Sequence, residues 1–227
     1  MKGFVTLAVG NKKYYKLALN LLKSYKLHTH SNIPFAIICD RKNKYTEYFD
    51  KVIILKEFSC SYMDKLELLN NLPYEENIFI DADCLVYADI NEYWQFFPMQ
   101  GVSCFGRALQ VSSNDGWFNI NDIGSYKEKI DFIPQFHGGI MFLKNDNITN
   151  DVYKLSKKIA NNYSNYKFKY FDKPADEPIL ALSTALMGCK PIELPRKLEN
   201  RMFVFYPAAK EVYCDISNGY LSYINKR

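Results

Sequence analysis

Apolar residues in the first half of the chain fall into short runs separated by stretches with helical periodicity. Phe4 to Val9 is one such run, and it stops at Gly10-Asn11, a strand followed by a turn. Tyr14, Leu17, Ala18, Leu21, Leu22 and Tyr25 then recur at helical spacing, which predicts an amphipathic helix. Ile33 to Cys39 and Lys51 to Leu55 read as a second and third strand. Met63 to Leu72 reads as a helix, stopped by Pro73, and Ile78 to Ile80 as a fourth strand. Strands alternating with helices predict an α/β fold, with a mostly parallel central sheet and helices on both faces.

The second half is less regular. Gly101 to Gly106 is strand-like, and residues 107 to 135 mix polar and charged positions with scattered apolar ones. A stretch of that kind reads as a lid or binding loop. Phe136 to Leu143 resumes a strand and contains the pair Gly138-Gly139. Asp151 to Tyr163 reads as a helix capped by Thr149 or Asn150, and Pro178 to Met187 as a buried helix ending at Gly188. Lys190 to Leu194 and Met202 to Tyr206 are further candidate strands. No repeat or linker interrupts the pattern, so residues 1–227 read as a single domain.

Composition narrows the function classes. Apolar residues make up 48% of the 227, enough for a sizeable core. Net charge is +4, from 29 basic and 25 acidic residues, which is too mild to predict a nucleic-acid partner. Asn225-Lys226-Arg227 forms a small basic end, read as a solvated tail with peripheral membrane contact left open. The six cysteines form no Cys-x-x-Cys pair and several sit in apolar runs, as expected of reduced core thiols in a cytoplasmic protein. The apolar N-terminal run is too short for a signal peptide, and no stretch has the length of a membrane span.

The chemistry concentrates at the end of the fourth run, in Ile78-Phe79-Ile80-Asp81-Ala82-Asp83. If the run is a buried strand, Asp81 and Asp83 emerge at its C-terminal end, where open α/β sheets bind ligands. Two hard oxygen donors there suit Mg²⁺ or Mn²⁺, with a nucleotide diphosphate supplying further oxygens. An isolated Asp-x-Asp would be a solvated turn, so the strand context carries the reading. His137 precedes a glycine pair that permits close approach by a ligand, which makes it a candidate site residue rather than a core histidine. Asp40, at the end of the second strand, reads equally as a nucleoside contact or a turn residue. Trp117 could stack on an acceptor sugar, whereas Trp94, beside Tyr93 and Phe96, reads as core.

The succession Gly10-Asn11, Lys65-Leu66, Phe79-Ile80-Asp81-Ala82-Asp83-Cys84-Leu85-Val86, His137-Gly138-Gly139 and Asp176-Glu177-Pro178 resembles the GT-A (Rossmann-like) glycosyltransferases. It is most similar to the glycogenin and lipopolysaccharide galactosyltransferase group, over residues 4 to 188. The resemblance implies a nucleotide-sugar donor, usually a UDP-sugar, and a glycan acceptor. It implies Mn²⁺ or Mg²⁺ bridging Asp81, Asp83 and the diphosphate, with Asp83 the more direct ligand. Residues 1–100 would form the nucleotide-binding half and 101–227 the acceptor-binding half. The donor would contact Ala8, Val9, Gly10, Tyr14, Asp40, Lys65, Ala82, Gly138 and Gly139. Asp176, Glu177 and His137 would stand at the reacting carbon. Lys65 has a plain alternative as a surface lysine, and Asp176 and Glu177 as carboxylates favoured at a helix N-terminus.

Two departures from the family pattern matter. The first strand ends in Ala8-Val9-Gly10-Asn11 without the aspartate that meets the base in relatives, and no histidine follows residue 137 to serve as a late metal ligand. Water or His137 would then complete the metal shell. A sugar nucleotidyltransferase and a non-catalytic nucleotide-sugar-binding module are the alternatives. The first normally carries a glycine-rich basic loop, of which Gly10-Asn11-Lys12-Lys13 is only a faint version.

Overall fold

The computed structural model describes residues 1–193 and, beyond them, the backbone of 202–204, 209–217 and 220–225. In chain order its strands and α-helices are β1 (Lys2–Ala8), α1 (Lys12–His28), β2 (Phe35–Cys39), β3 (Lys51–Ile54), β4 (Glu76–Ile80), β5 (Cys84–Val86), β6 (Val102–Leu109), β7 (Ile133–Lys144), α2 (Asn147–Asn161), α3 (Asp176–Leu186), β8 (Met202–Val204), β9 (Ala209–Asp215) and β10 (Tyr220–Asn225).

Six strands form the central sheet in the order β3-β2-β1-β4-β7-β6. β3, β2, β1 and β4 run parallel, while β7 runs antiparallel to both β4 and β6. The expected mostly parallel sheet is therefore present, with one reversed strand. Period-two alternation distributes the strand side chains between two cores. Phe4 and Ala8 of β1, with Phe35, Ile37, Ile78 and Ile80, pack against Leu17, Ala18, Leu21 and Tyr25 of α1. Val5, Ile38 and Phe79 face the other way, toward Val152 and Ile159 of α2 and Ile179 and Leu182 of α3. Helices thus cover both faces.

Several elements differ from the sequence reading in instructive ways. Met63 to Leu72 is not an α-helix but a run of 3₁₀ turns, Tyr62–Asn70, opened by a capping box between Ser61 and Asp64. α2 begins before Asp151 because Asp146 is its cap, accepting from the Thr149 N–H at 2.8 Å, ahead of the expected Thr149 or Asn150. The irregular stretch is shorter than 107–135, since β6 continues to Leu109 and β7 starts at Ile133. Between them lie two short 3₁₀ turns, Ile120–Asp122 and Gly124–Lys129. Of the candidate strand 190–194, Ile192 makes an isolated bridge to Phe105, and residue 194 lies outside the described residues. The candidate strand at 202–206 is seen as β8, paired with β5, and residues 205 and 206 lie outside the described residues. The basic end at 226–227 also lies outside them. No helix among the described residues is long and apolar enough to cross a membrane.

Candidate active site

β4 ends by handing its last hydrogen bond to β7: the Asp81 N–H donates to the Gly139 carbonyl at 2.9 Å. The Cys84 N–H then donates to the Asp81 carbonyl at 3.0 Å, closing a tight turn. Asp81, Ala82 and Asp83 are thereby placed at the C-terminal edge of the parallel strands, where they line a cleft of about 460 Å³. Leu7 and Val9 also line it, together with Tyr14 from α1 and the segment Cys60–Tyr62 with Asp64 and Lys65. The volume falls within the range of small-molecule sites.

The first wall is a supported turn. Gly10 adopts φ +74°, a left-handed conformation that favours glycine, and its N–H donates to Asp40 Oδ1 at 2.9 Å. The Tyr15 hydroxyl donates to the same Asp40 oxygen, while Arg41 pairs with Oδ2 at 2.9 Å and donates to the Gly10 carbonyl at 2.7 Å. Burial alone would raise the Asp40 carboxyl, but the Tyr15 hydroxyl and Gly10 N–H outweigh it and hold it below its usual value. Of the two readings of Asp40, nucleoside contact or turn residue, its bonds in the structure are those of a brace for the Gly10 turn. Tyr14 and Tyr15 divide unexpectedly: Tyr15 is in the core, and Tyr14 is turned out to the cleft.

The opposite wall carries residues absent from the sequence reading: Cys60, Ser61, Tyr62 and Asp64. Asp64 accepts from the Ser59 N–H at 2.6 Å and the Ser61 N–H at 3.2 Å, fixing this loop over the cleft. The pattern Ser61-x-x-Asp64 is a capping-box signal that could have identified the loop.

Electrostatics centre on Lys65. Its ammonium lies 3.1 Å from Asp81 Oδ2, 3.1 Å from Asp176 Oδ2 and 3.4 Å from the Gly138 carbonyl. The Asp176 contact is ionic, without the alignment of a hydrogen bond. All three side chains are largely enclosed, with 14%, 22% and 7% of Lys65, Asp81 and Asp176 exposed. Burial alone would lower the Lys65 pKa, but the two carboxylates overcome it and hold it well above the usual lysine range. Burial raises the Asp81 carboxyl in spite of Lys65, with Asp176 adding repulsion. Burial, with Asp81 as a like-charged neighbour, pushes Asp83 up to about 7.

β7 and α3 complete the site. Asp176 and Glu177 open α3, a position favoured for carboxylates. Glu177 Oε1 accepts from the Gly138 N–H at 2.7 Å, and burial raises its carboxyl above the ordinary value. A Cβ on Gly138 would meet Glu177 Cγ at 3.3 Å and Lys65 Nζ at 3.5 Å, so glycine there lets β7 lie close against the charged cluster. His137 is the most open of the group, with its Nδ1 accepting from the Gly139 N–H at 3.2 Å and lying 3.9 Å from Glu177 Oε1. The structure thus brings Lys65, Asp81, Gly138, Gly139, Asp176, Glu177 and His137 together, with Asp83 beside them. Trp117 is held apart from them in an aromatic cluster: its indole N–H donates to the Phe136 carbonyl at 3.2 Å and its ring packs on Tyr170 and Phe171.

The donor set of Asp81 and Asp83, two hard oxygens whose like charge Lys65 offsets only from the Asp81 side, fits Mg²⁺ or Mn²⁺. Among the described residues no group of three or more His, Cys, Asp or Glu side chains converges to hold such an ion alone. Water and a ligand's phosphate oxygens would have to supply the rest.

The fold with this site at its strand ends is the GT-A glycosyltransferase fold. The chain is similar to the crystal structure of the galactosyltransferase LgtC in complex with donor and acceptor sugar analogs, at 15% identity and a TM-score of 0.53, over 80% of this chain and 70% of that one. An active-site mutant of LgtC aligns at 16% identity and a TM-score of 0.52, over 80% and 69%. The bifunctional glycosyltransferase WbbM aligns at 14% identity and a TM-score of 0.52, over 85% of this chain but 38% of its own. At these identities the likeness establishes the fold. No family model and no curated protein sequence matches the chain.

Proposed function

We propose that the protein is a metal-dependent glycosyltransferase that moves a sugar from a nucleotide-diphosphate sugar, in the resembling family a UDP-sugar, to a hydroxyl of a glycan. The observation that carries this is the 460 Å³ cleft ending in Asp81-Ala82-Asp83 at the C-terminal edge of the sheet. Every residue lining it belongs to the first hundred positions. This supports the division into a nucleotide-binding half, 1–100, and an acceptor-binding half, 101–227.

The nucleotide would lie along Leu7 and Val9, between Tyr14 and the loop at Cys60–Tyr62, whereas Ala8 is buried against α1 and Gly10 is not among the lining residues. Asp81 and Asp83 would hold Mg²⁺ or Mn²⁺, which neutralises charge developing on the leaving diphosphate. Without a cation an anionic diphosphate would be repelled by these two carboxylates. Lys65, held by Asp81 and Asp176, orients Asp81 and lowers the net negative charge of the site. Transfer breaks the bond between the sugar's anomeric carbon and the diphosphate oxygen, forms one to the acceptor oxygen, and releases the acceptor's proton. Glu177 is better placed than Asp176 to receive that proton, because Asp176 is committed to Lys65 while burial raises the proton affinity of Glu177.

A thermal-shift screen of nucleotide-sugars with and without Mn²⁺ tests the reading. A ligand at about 100 times its Kd adds roughly 2.7 kcal/mol, or roughly 5–10 °C for a domain of this size. The expected result is a rise only when nucleotide-sugar and Mn²⁺ are both present. Equal shifts with and without the metal, or none for any donor, would overturn it.

A further inference from the structure

A second cleft, about 420 Å³ in volume, opens between the turn Gly124–Lys129 and the segment that leaves α2. It is lined by Lys129, Lys158, Asn162, Asn165, Tyr126 and Tyr166, with the Asn162 amide N–H donating to the Lys158 carbonyl at 2.8 Å. No carboxylate lines it. The lysines next to these two in sequence are already committed: Lys127 lies 3.7 Å from Glu128, and Lys157 lies 2.7 Å from Glu67. Lys129 instead sits 5.9 Å over the Tyr126 ring, which stacks on Tyr166 with centroids 6.0 Å apart and an interplanar angle of 18°. The walls are firmly backed. Ile123, Ile130, Ile159 and Tyr163 are buried beneath them, and the Lys167 N–H donates to the Asp122 carbonyl at 3.1 Å.

The topology puts this cleft at the same end of the molecule as the carboxylates. Gly101 touches both Ile148, at the start of α2, and Cys189, just past the end of α3, so the two helices run antiparallel. Ser156 and Ser183 hydrogen-bond across them at 2.9 Å. At 1.5 Å rise per residue, Asn162 stands roughly 9 Å above Ser156 and Asp176 roughly 10 Å above Ser183. Asn162, on the wall of the cleft, therefore stands at about the height of Asp176 along the helix pair.

We propose that this cleft is a subsite for an acidic residue of the acceptor glycan, a sugar bearing a carboxylate or phosphate; this rests on the glycosyltransferase reading above. The two lysines supply charge-assisted hydrogen bonds to the anion. The amides take sugar hydroxyls, and the phenol rings offer an apolar wall to the ring's C–H bonds. Anion and sugar ring are recognised together, which separates this site from a simple phosphate site.

Titrations of the 227-residue chain, followed by backbone amide signals, test it with four probes: glucuronate, glucose 6-phosphate, glucose and inorganic phosphate. The expected result is that at least one acidic sugar shifts the signals of Ser125, Lys129 and Asn162 and binds at least about tenfold more tightly than glucose or inorganic phosphate. The double variant Lys129→Glu, Lys158→Glu should lose that response while keeping its Mn²⁺-dependent nucleotide response. Equal binding of inorganic phosphate, equal binding of glucose, or no response at these residues overturns the proposal. If the nucleotide response is intact while acidic sugars fail, this inference alone falls. If nucleotides also fail to bind, the glycosyltransferase reading falls, and the assignment as an acceptor subsite falls with it.

Discussion

At the scale of single residues, the site is a problem in placing too much negative charge in too little water. Asp83, raised from its ordinary value of 3.8 to about 7 by burial and by Asp81, is the clearest case. An acid whose folded pKa is raised binds more protons folded than unfolded, so stability falls as pH climbs between the two values. In metal-free protein, Asp83→Asn should therefore stabilise the fold by roughly 1–2 kcal/mol above pH 7. The gain should fade toward pH 4, as urea denaturation in EDTA would show. A gain that grows as pH falls would contradict the assignment. Lys65 is the counterweight. Replacing it with Met leaves Asp81 and Asp176 enclosed without their cation, and a loss of roughly 3–5 kcal/mol is expected in the same measurement. The aspartate pair was legible in the sequence because its chemistry is local and follows a buried strand. The resemblance grouped Lys65, Asp81 and Asp176 at one site, but the ion pairs among them were not legible, because the three come from distant segments and meet only in the folded chain. Asp40 shows the converse: its position after a strand was read correctly, but its bonds to Gly10, Tyr15 and Arg41 are tertiary.

At the scale of elements, the alternation of strands and helices and the helix cover on both faces followed from periodicity, the order of strands in the sheet did not, and the errors fell where periodicity is ambiguous. Tyr14 and Tyr15 are adjacent, both aromatic, and compatible with the same apolar stripe; only packing against β2 decides that Tyr15 goes inside. Tyr62–Asn70 has helical spacing and a capping box at its start, yet it winds as 3₁₀ turns. The Gly10 turn depends on both effects of glycine. A Cβ there would be strained at φ +74° and would lie 2.7 Å from Cys60 Sγ. Gly10→Ala should cost about 1–2 kcal/mol from the left-handed backbone alone. Adding Cys60→Ala should recover the steric part and leave the backbone part. Full recovery in the double variant, measured by thermal unfolding, would show that backbone strain is negligible.

At the scale of the whole molecule, a mixed sheet carries a nucleotide-sized cleft on the edge of its parallel strands and a carboxylate cluster where the reversed strand β7 crosses it. The reversed strand brings Gly138, Gly139 and His137 opposite Asp81, something a purely parallel order would not do. The late histidine of the resembling family has no counterpart in the sequence, so in the proposed reading the two aspartates would need ligand oxygens to complete a metal shell. Metal and donor should therefore bind as a unit. The most direct test is the rate of UDP-sugar consumption in the presence of Mn²⁺ by the wild-type chain and by Asp83→Ala, with folding of the variant checked by circular dichroism. The account predicts Mn²⁺-dependent turnover in the wild type that falls by about a hundredfold or more in the variant. An unchanged rate in Asp83→Ala, or tight donor binding without any turnover in the wild type, would contradict it.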